Sequence, residues 1–332
     1  MTAEKSQAVR SHVFHQNSMS GFKVMISTVP KGLKRRIRRI IYRFSPFCLD
    51  FALDGDINSL KRKISLWFRI FFIQKRKFMK ELDFLKSMAS EENLFSVVIP
   101  YPFVFTYDHN LIKVFKDEGK DLFYVIHRGK RLYYSRFFRS EADVRLSYNG
   151  LCIEQDERSP HRYLTDEFNV LEHDVVADIG AAEGNFSLDA VEKTDALYIF
   201  EPDEKWVEAL TATFEPWKEK VHIINKWVSD TDSDECVTLD SFFGDNPVDF
   251  IKIDAEGADK LVLNGAVNKL SGSRPMRIAV CTYHRKHDAK ITEKILREYG
   301  FRYTFSGGYL LFIHSRLTPP FFRRGLIRAQ KQ

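Results

Sequence analysis

The stretch Val175-Val-Ala-Asp-Ile-Gly-Ala-Ala-Glu-Gly-Asn-Phe186 constrains the fold more than any other part of this chain. An apolar run ends at Asp178, glycines follow at Gly180 and Gly184, and a helical pattern opens at Asn185. A strand that turns on glycine into a helix begins a βαβ unit, and ligands in such sheets sit outside the carboxyl ends of the strands. Glycine lets a ligand approach the backbone with no Cβ in the way. The spacing is G-x-x-x-G, unlike the G-x-G-x-x-G of dinucleotide sites, so no pyrophosphate is implied. The pattern leaves room for the amino-acid end of a cofactor at Gly180, Ala182 and Gly184, with Asp178 helping to hold its ammonium.

Downstream, strand and helix patterns alternate. Strands are expected at 175–179, 197–200, 221–228, 250–254 and 277–282, with helices at 185–192, 204–214, 260–270 and 289–299. Such alternation gives a parallel sheet covered by helices on both faces. Residues 301–305 and 309–314 read as a closing hairpin through Ser306-Gly-Gly308, which makes the last strand antiparallel.

Upstream, residues 1–30 read as poorly ordered, and 31–90 as basic amphipathic helices. In the second of these, Ile64, Trp67, Phe68, Phe71, Phe72, Phe78, Leu82 and Leu85 recur at mostly helical spacing. That stripe suits either a packed helix or one lying on an anionic membrane face. Residues 91–150 read as a small antiparallel β subdomain, with a hairpin turning at Arg128-Gly129. A catalytic domain is expected over 151–318 and a basic tail over 319–332. Residues 31–80 hold fifteen Lys and Arg against three Asp in a chain of net charge +6, which leaves the body at 81–318 acidic. An acidic body argues against nucleic acid as substrate, because phosphate-backbone binding rests on Lys and Arg contacts. The basic ends invite an anionic surface. The four cysteines are scattered without a C-x-x-C pair, and no secretory signal is visible. These features suit a cytoplasmic protein, peripheral to the inner face of a membrane if the basic segments dock there.

Three further elements carry chemistry. Glu201 ends the next strand in Phe200-Glu-Pro-Asp203, where its carboxylate can accept two hydrogen bonds from a ribose diol beside Pro202. Asp203 fits the N-cap of the following helix. Together with the glycine turn, this points to a cofactor that is part nucleoside and part amino acid. Lys252, Asp254 and Glu256 alternate at the end of the 250–254 strand and are expected to face one crevice. Asp254 and Glu256 are also the pair that would hold a divalent metal, which is not expected but possible. His284, in Cys281-Thr-Tyr-His-Arg285, is the first candidate for taking or relaying an acceptor proton.

Ile251-Lys-Ile-Asp-Ala-Glu-Gly-Ala258 followed by Leu263-Asn-Gly-Ala266 closely resembles the signature of FkbM-type methyltransferases. The glycine turn, Phe200-Glu-Pro-Asp203 and Thr238-Leu-Asp240 match that family in order and spacing. The resemblance covers roughly residues 150–314. It implies the class I methyltransferase fold, a Rossmann-like seven-stranded sheet with one antiparallel strand, here preceded by the helical and small antiparallel β region. It also implies S-adenosyl-L-methionine as cofactor and O-methylation of a hydroxyl on a sugar, glycan or polyketide-like acceptor. Asp254 and Glu256 join His284 as catalytic candidates. Ser229, Asp254 and Tyr163 join the cofactor-binding set, Tyr163 from a segment similar to one that covers the methionine end in related enzymes. Two departures stand out. Trp227 occupies a position where a small residue is commoner, and it either stacks on adenine or is core. The stretch from Ser229 to Thr238 is short, which implies a reduced lid.

A D-x-D at Asp232-Ser-Asp234 leaves a glycosyltransferase as the competing enzyme class. A noncatalytic interaction protein using the basic helices is the third reading. Neither the acceptor nor the oligomeric state is written in the sequence.

Overall fold

The computed structural model describes residues 57–70, 76–88, 98–313 and 318–331. They belong to two compact units, one of Leu94–Leu310 with Arg323–Gln332, the other of Met1–Asn93 with Leu311–Phe322. The expectations for residues 1–30 and for the first basic helix lie outside the described residues.

In the smaller unit, helices α1 (Ile57–Ile70) and α2 (Met79–Ser87) carry the aromatic stripe. Leu60, Ile64, Trp67 and Phe68 recur one helical face apart and are all buried, as are Phe78, Leu82 and Leu85. Phe321 and Phe322 cover them, with Trp67 5.9 Å from Phe321 and Phe78 5.3 Å from Phe322 between ring centroids. These members of the stripe are therefore buried, while Phe71 and Phe72 lie outside the described residues. No helix among the described residues is long and apolar enough to cross one.

The larger unit opens with an antiparallel sheet of β1 (Val114–Asp117), β2 (Leu122–His127) and β3 (Lys130–Tyr133). Arg128 and Gly129, both at positive φ, form the two-residue turn that suits the twist of a hairpin. Next come α3 (Glu141–Glu154), closed by a Ser140–Asp143 capping box, β4 (Asp174–Ile179) and α4 (Asn185–Ala190). After these run β5 (Thr194–Phe200), α5 (Glu204–Phe214, capped by Asp203), β6 (Val221–Ile224), and the short β7 (Trp227–Val228) and β8 (Cys236–Val237). The small sheet is not a separate subdomain: Leu122 and Tyr133 pack on Ala209 of α5, and Tyr133 N donates to Thr213 Oγ1 at 3.0 Å. The boundary expected at residue 151 falls inside α3.

The remaining elements are α6 (Leu239–Phe243), β9 (Phe250–Ile253), α7 (Asp259–Asn264), α8 (Val267–Ser271), β10 (Met276–Cys281), α9 (Asp288–Glu298), β11 (Arg302–Phe305) and β12 (Leu326–Lys331). The helix expected over 260–270 is two helices, because the chain turns at Gly265. A Cβ there would lie 2.0 Å from the Ser229 carbonyl oxygen. Seven strands form one sheet in the order β11-β12-β10-β9-β4-β5-β6, with β12 antiparallel to both neighbours.

The antiparallel strand is where expectation and structure part. Among the described residues, 309–313 do not pair with β11; Leu310 makes a bridge to Arg323. The strand between β10 and β11 is 326–331, assigned from the sequence to a basic tail. Its cations are consumed by carbonyl groups. Arg328 donates to the carbonyls of Arg162 and Tyr163, and Lys331 Nζ donates to Leu270 O at 2.7 Å. With their charged ends so placed, Leu326, Ile327 and Ala329 are free to be fully buried.

Candidate active site

Asp178 and Lys252 lie side by side on parallel strands β4 and β9. Lys252 Nζ is 3.0 Å from Asp178 Oδ1 and donates to the Gly180 carbonyl at 2.5 Å. Ser187 Oγ donates to the other Asp178 oxygen at 2.7 Å. Asp178 has no exposed surface. It is thus not positioned to hold a cofactor ammonium; it fixes the glycine turn from behind. Burial disfavours the Lys252 charge, but Asp178 and Asp254 more than offset this and raise its pKa.

The turn itself is dictated by a neighbour. Gly180 has φ +76°, and a Cβ on it would lie 2.1 Å from the Asp254 carbonyl oxygen. The glycine is required by the close approach of β9's exit loop. Ala182 also adopts positive φ and donates its N–H to Glu201 Oε2 at 2.8 Å. Glu201 Oε1 accepts from Asp203 N at 2.9 Å. Burial raises the Glu201 pKa to about 7, against the pull of those two N–H groups. Gly180, Ala182, Pro202, Ser229 and Asp254 remain half-buried, so the carboxyl ends of four neighbouring chain segments present one open rim.

Across the rim stands a cluster centred on Asp254. Tyr163 donates to Asp254 Oδ2 at 2.6 Å, and Tyr283 to Oδ1 at 3.3 Å. His161 Nε2 is 2.9 Å from the Tyr283 hydroxyl. His284 Nε2 lies 3.2 Å from Asp254 Oδ1, and its Nδ1 lies 3.1 Å from Asp259 Oδ2. Burial opposes a charge on His284, but the two carboxylates prevail and hold its pKa well above the ordinary 6.5. Burial likewise opposes the Asp254 charge, yet His161 and His284 hold its pKa well below the usual range. Both ring nitrogens of His284 thus face carboxylates, which favours its charged form and weighs against the role of base expected for it. Glu256 sits at φ +50° in the turn after β9, with its side chain 55% exposed and its Oε2 3.9 Å from His284 Nε2, so it reaches the edge of the same cluster.

Asp254, Asp259 and His284 converge closely enough to suggest metal ligands. In this arrangement the three are bonded to one another, and Asp259 is also held by the N–H groups of Ala255 and Gly257. Asp232 of the D-x-D accepts from Thr238 N at 2.7 Å and Ser241 Oγ at 2.6 Å, so it ties its own loop. Trp227 is half-buried on β7. Asp259 was not legible as part of the cluster, although a glycine turn just before a helix does signal a capping carboxylate. Glu154 was passed over as well. Half-buried at the end of α3 and within the fields of His161, Glu183 and Asp254, it has its pKa raised by burial to about 7.

A seven-stranded sheet ordered in this way, with its antiparallel strand second from one edge, has the topology of the class I methyltransferase fold. Residues 167–303 match the family described as methyltransferase FkbM domain. The match covers 137 of the 332 residues, the part of the chain that holds the glycine turn, Glu201 and Asp254. Among solved structures it is similar to methyltransferase FkbM from Methylobacillus flagellatus, at 16% identity and TM-score 0.39 over 57% of this chain and 54% of that one. It is also similar to precorrin-6y C5,15-methyltransferase from Geobacter metallireducens (14%, TM-score 0.35, 50% and 84% of the chains). A third likeness is to the tRNA m1G37 methyltransferase of M. jannaschii (14%, TM-score 0.35, 63% and 54%). The chain thus spans about half the length of the FkbM structure. No curated protein matches it.

Proposed function

We propose that this protein moves the methyl group of S-adenosylmethionine to a hydroxyl of a small-molecule or glycan acceptor. Glu201 carries the reading. Its carboxylate is buried at the carboxyl end of β5 and fixed by two N–H groups. A carboxylate has about four lone-pair sites, so roughly half stay available for a ribose diol. The half-buried main chain at Gly180 and Ala182 fits the amino-acid end, and Tyr163, braced by Arg328 and Asp254, fits the cover over it. When bound, the cofactor supplies an electrophilic sulfonium methyl for in-line attack, which leaves the protein to position the acceptor and accept one proton. Glu154, at a pKa of about 7, is better matched to that proton than His284 or Asp254. The acidic balance of the body favours a hydroxylated acceptor over a polyphosphate backbone.

Calorimetric titration of the full-length protein with S-adenosylmethionine tests the cofactor, and absence of binding would overturn it. Incubation with methyl-labelled cofactor and a panel of sugars, glycans and amines tests the acceptor class. Label found only on nitrogen would overturn O-methylation.

A further inference from the structure

A cleft of about 110 Å³ beside α4 is lined by three cations, Arg128, Arg162 and Lys193, against one carboxylate, Asp189. Gln155 and Asn169 add side-chain amides to its wall. Its volume is below the roughly 300–1,000 Å³ of pockets that enclose drug-sized ligands, so it suits one small group.

The charges in it do not balance. Asp189 is already shared, with Oδ1 3.0 Å from His127 Nε2 and Oδ2 3.2 Å from Arg128 Nη1. The acids on either side of Lys193 are committed elsewhere, Glu192 to Lys130 at 3.1 Å and Asp195 to His173 at 2.9 Å. Asp166 and Glu167, the acids following Arg162 in the chain, are exposed and form no ion pair with it. Arg162 is half-buried and Lys193 exposed, and neither has a counter-charge among the described residues. A guanidinium that has given up part of its water without gaining a partner favours an anion that supplies one.

The neighbours of Arg162 fix its place. His161 Nε2 and the Tyr163 hydroxyl reach Asp254 Oδ2 at 3.6 and 2.6 Å, whereas Arg162, between them, lines the cleft. No residue of the rim that carries Glu201 lines it. The cleft is joined to the Asp254 cluster through Gln155, whose Oε1 accepts from Tyr163 N at 3.1 Å.

We propose that this cleft binds a phosphoryl group, held by Arg162 and Lys193. Two unpaired cations match the dianion of inorganic phosphate or of a phosphate monoester, and the guanidinium fork binds phosphate oxygens in pairs. The site goes beyond methyl transfer and does not rest on it.

Thermal unfolding of the full-length protein without S-adenosylmethionine tests it, in sodium chloride, inorganic phosphate or glycerol phosphate at matched ionic strength. Binding to the folded state raises Tm along a saturating curve, whereas the general salting effect of phosphate rises without saturating. Saturation is expected with a phosphate compound and not with chloride. A tighter response to inorganic phosphate marks the free ion as ligand, and a tighter response to glycerol phosphate marks a phosphorylated molecule. Arg162→Gln is expected to weaken the response about tenfold, the low end for a hydrogen bond to a charged group. Lys193→Gln is expected to weaken it several-fold, and its exposed position carries the test alone if the Arg162 variant does not fold. A wild type with no saturable response to either phosphate compound, or variants that respond as wild type does, overturns the site.

Discussion

Asp178 and Lys252, partners in register on β4 and β9, form an ion pair at 3.0 Å with almost no exposed surface on either side chain. With Ser187 on one side and the Gly180 carbonyl on the other, the pair joins the glycine turn to the strand that carries Asp254.

Lys252→Met is expected to cost about 3–5 kcal/mol, because it leaves Asp178 buried and uncompensated. Urea unfolding measures this. Adding Asp178→Asn should recover part of the loss, since the two residues are coupled; strictly additive losses would argue against the pair.

Glu201→Ala is expected to weaken cofactor binding by roughly 1–3 kcal/mol, the scale of a lost charged hydrogen-bond pair. The native affinity should also fall as pH drops below about 7, where Glu201 takes up a proton and loses acceptor capacity. For folding alone the sign is opposite. The folded carboxyl titrates above its ordinary 4.5, so its contribution to stability declines as pH rises from about 4.5 to about 7. Affinity unchanged between pH 6 and pH 8 would refute the ribose contact.

His284 should show its charge in stability. Its folded pKa is raised well above 6.5, so its stabilising contribution is complete below about 6.5 and is lost as pH rises through the folded value. His284→Gln should therefore be most damaging at mildly acidic pH and less so at alkaline pH. A loss that grows with pH, in denaturant melts, would contradict the imidazolium.

Gly180→Ala is expected to destabilise the fold by about 1–3 kcal/mol from the left-handed backbone alone, and by more because the Cβ meets the Asp254 carbonyl. Calorimetric Tm reads the loss.

A chain ending at residue 318 lacks β12, which lies between β10 and β11. It should not unfold as one cooperative domain. A sharp thermal transition in circular dichroism would rule out the central role given to that strand.

The amino-acid sequence by itself determined the alternating α/β architecture, the α5 boundaries at Glu204 and Phe214, the aromatic stripe of α1 and α2, and the resemblance that the match over 167–303 repeats. Each of these is a local pattern: periodicity, a cap, or a run of motif residues. Only the tertiary structure decided which strand closes the sheet. The segment 309–314 is mostly apolar while 326–331 carries Arg328, Gln330 and Lys331, and the second can enter the sheet because distant carbonyl groups receive Arg328 and Lys331. The same holds at the site. Asp178, Gly180 and His284 were legible as important residues, but their tasks depend on Lys252, the Asp254 carbonyl and Asp259, neighbours that sequence spacing does not reveal. Ionisation follows burial and partners, so the roles of these residues were fixed only when the strands came together.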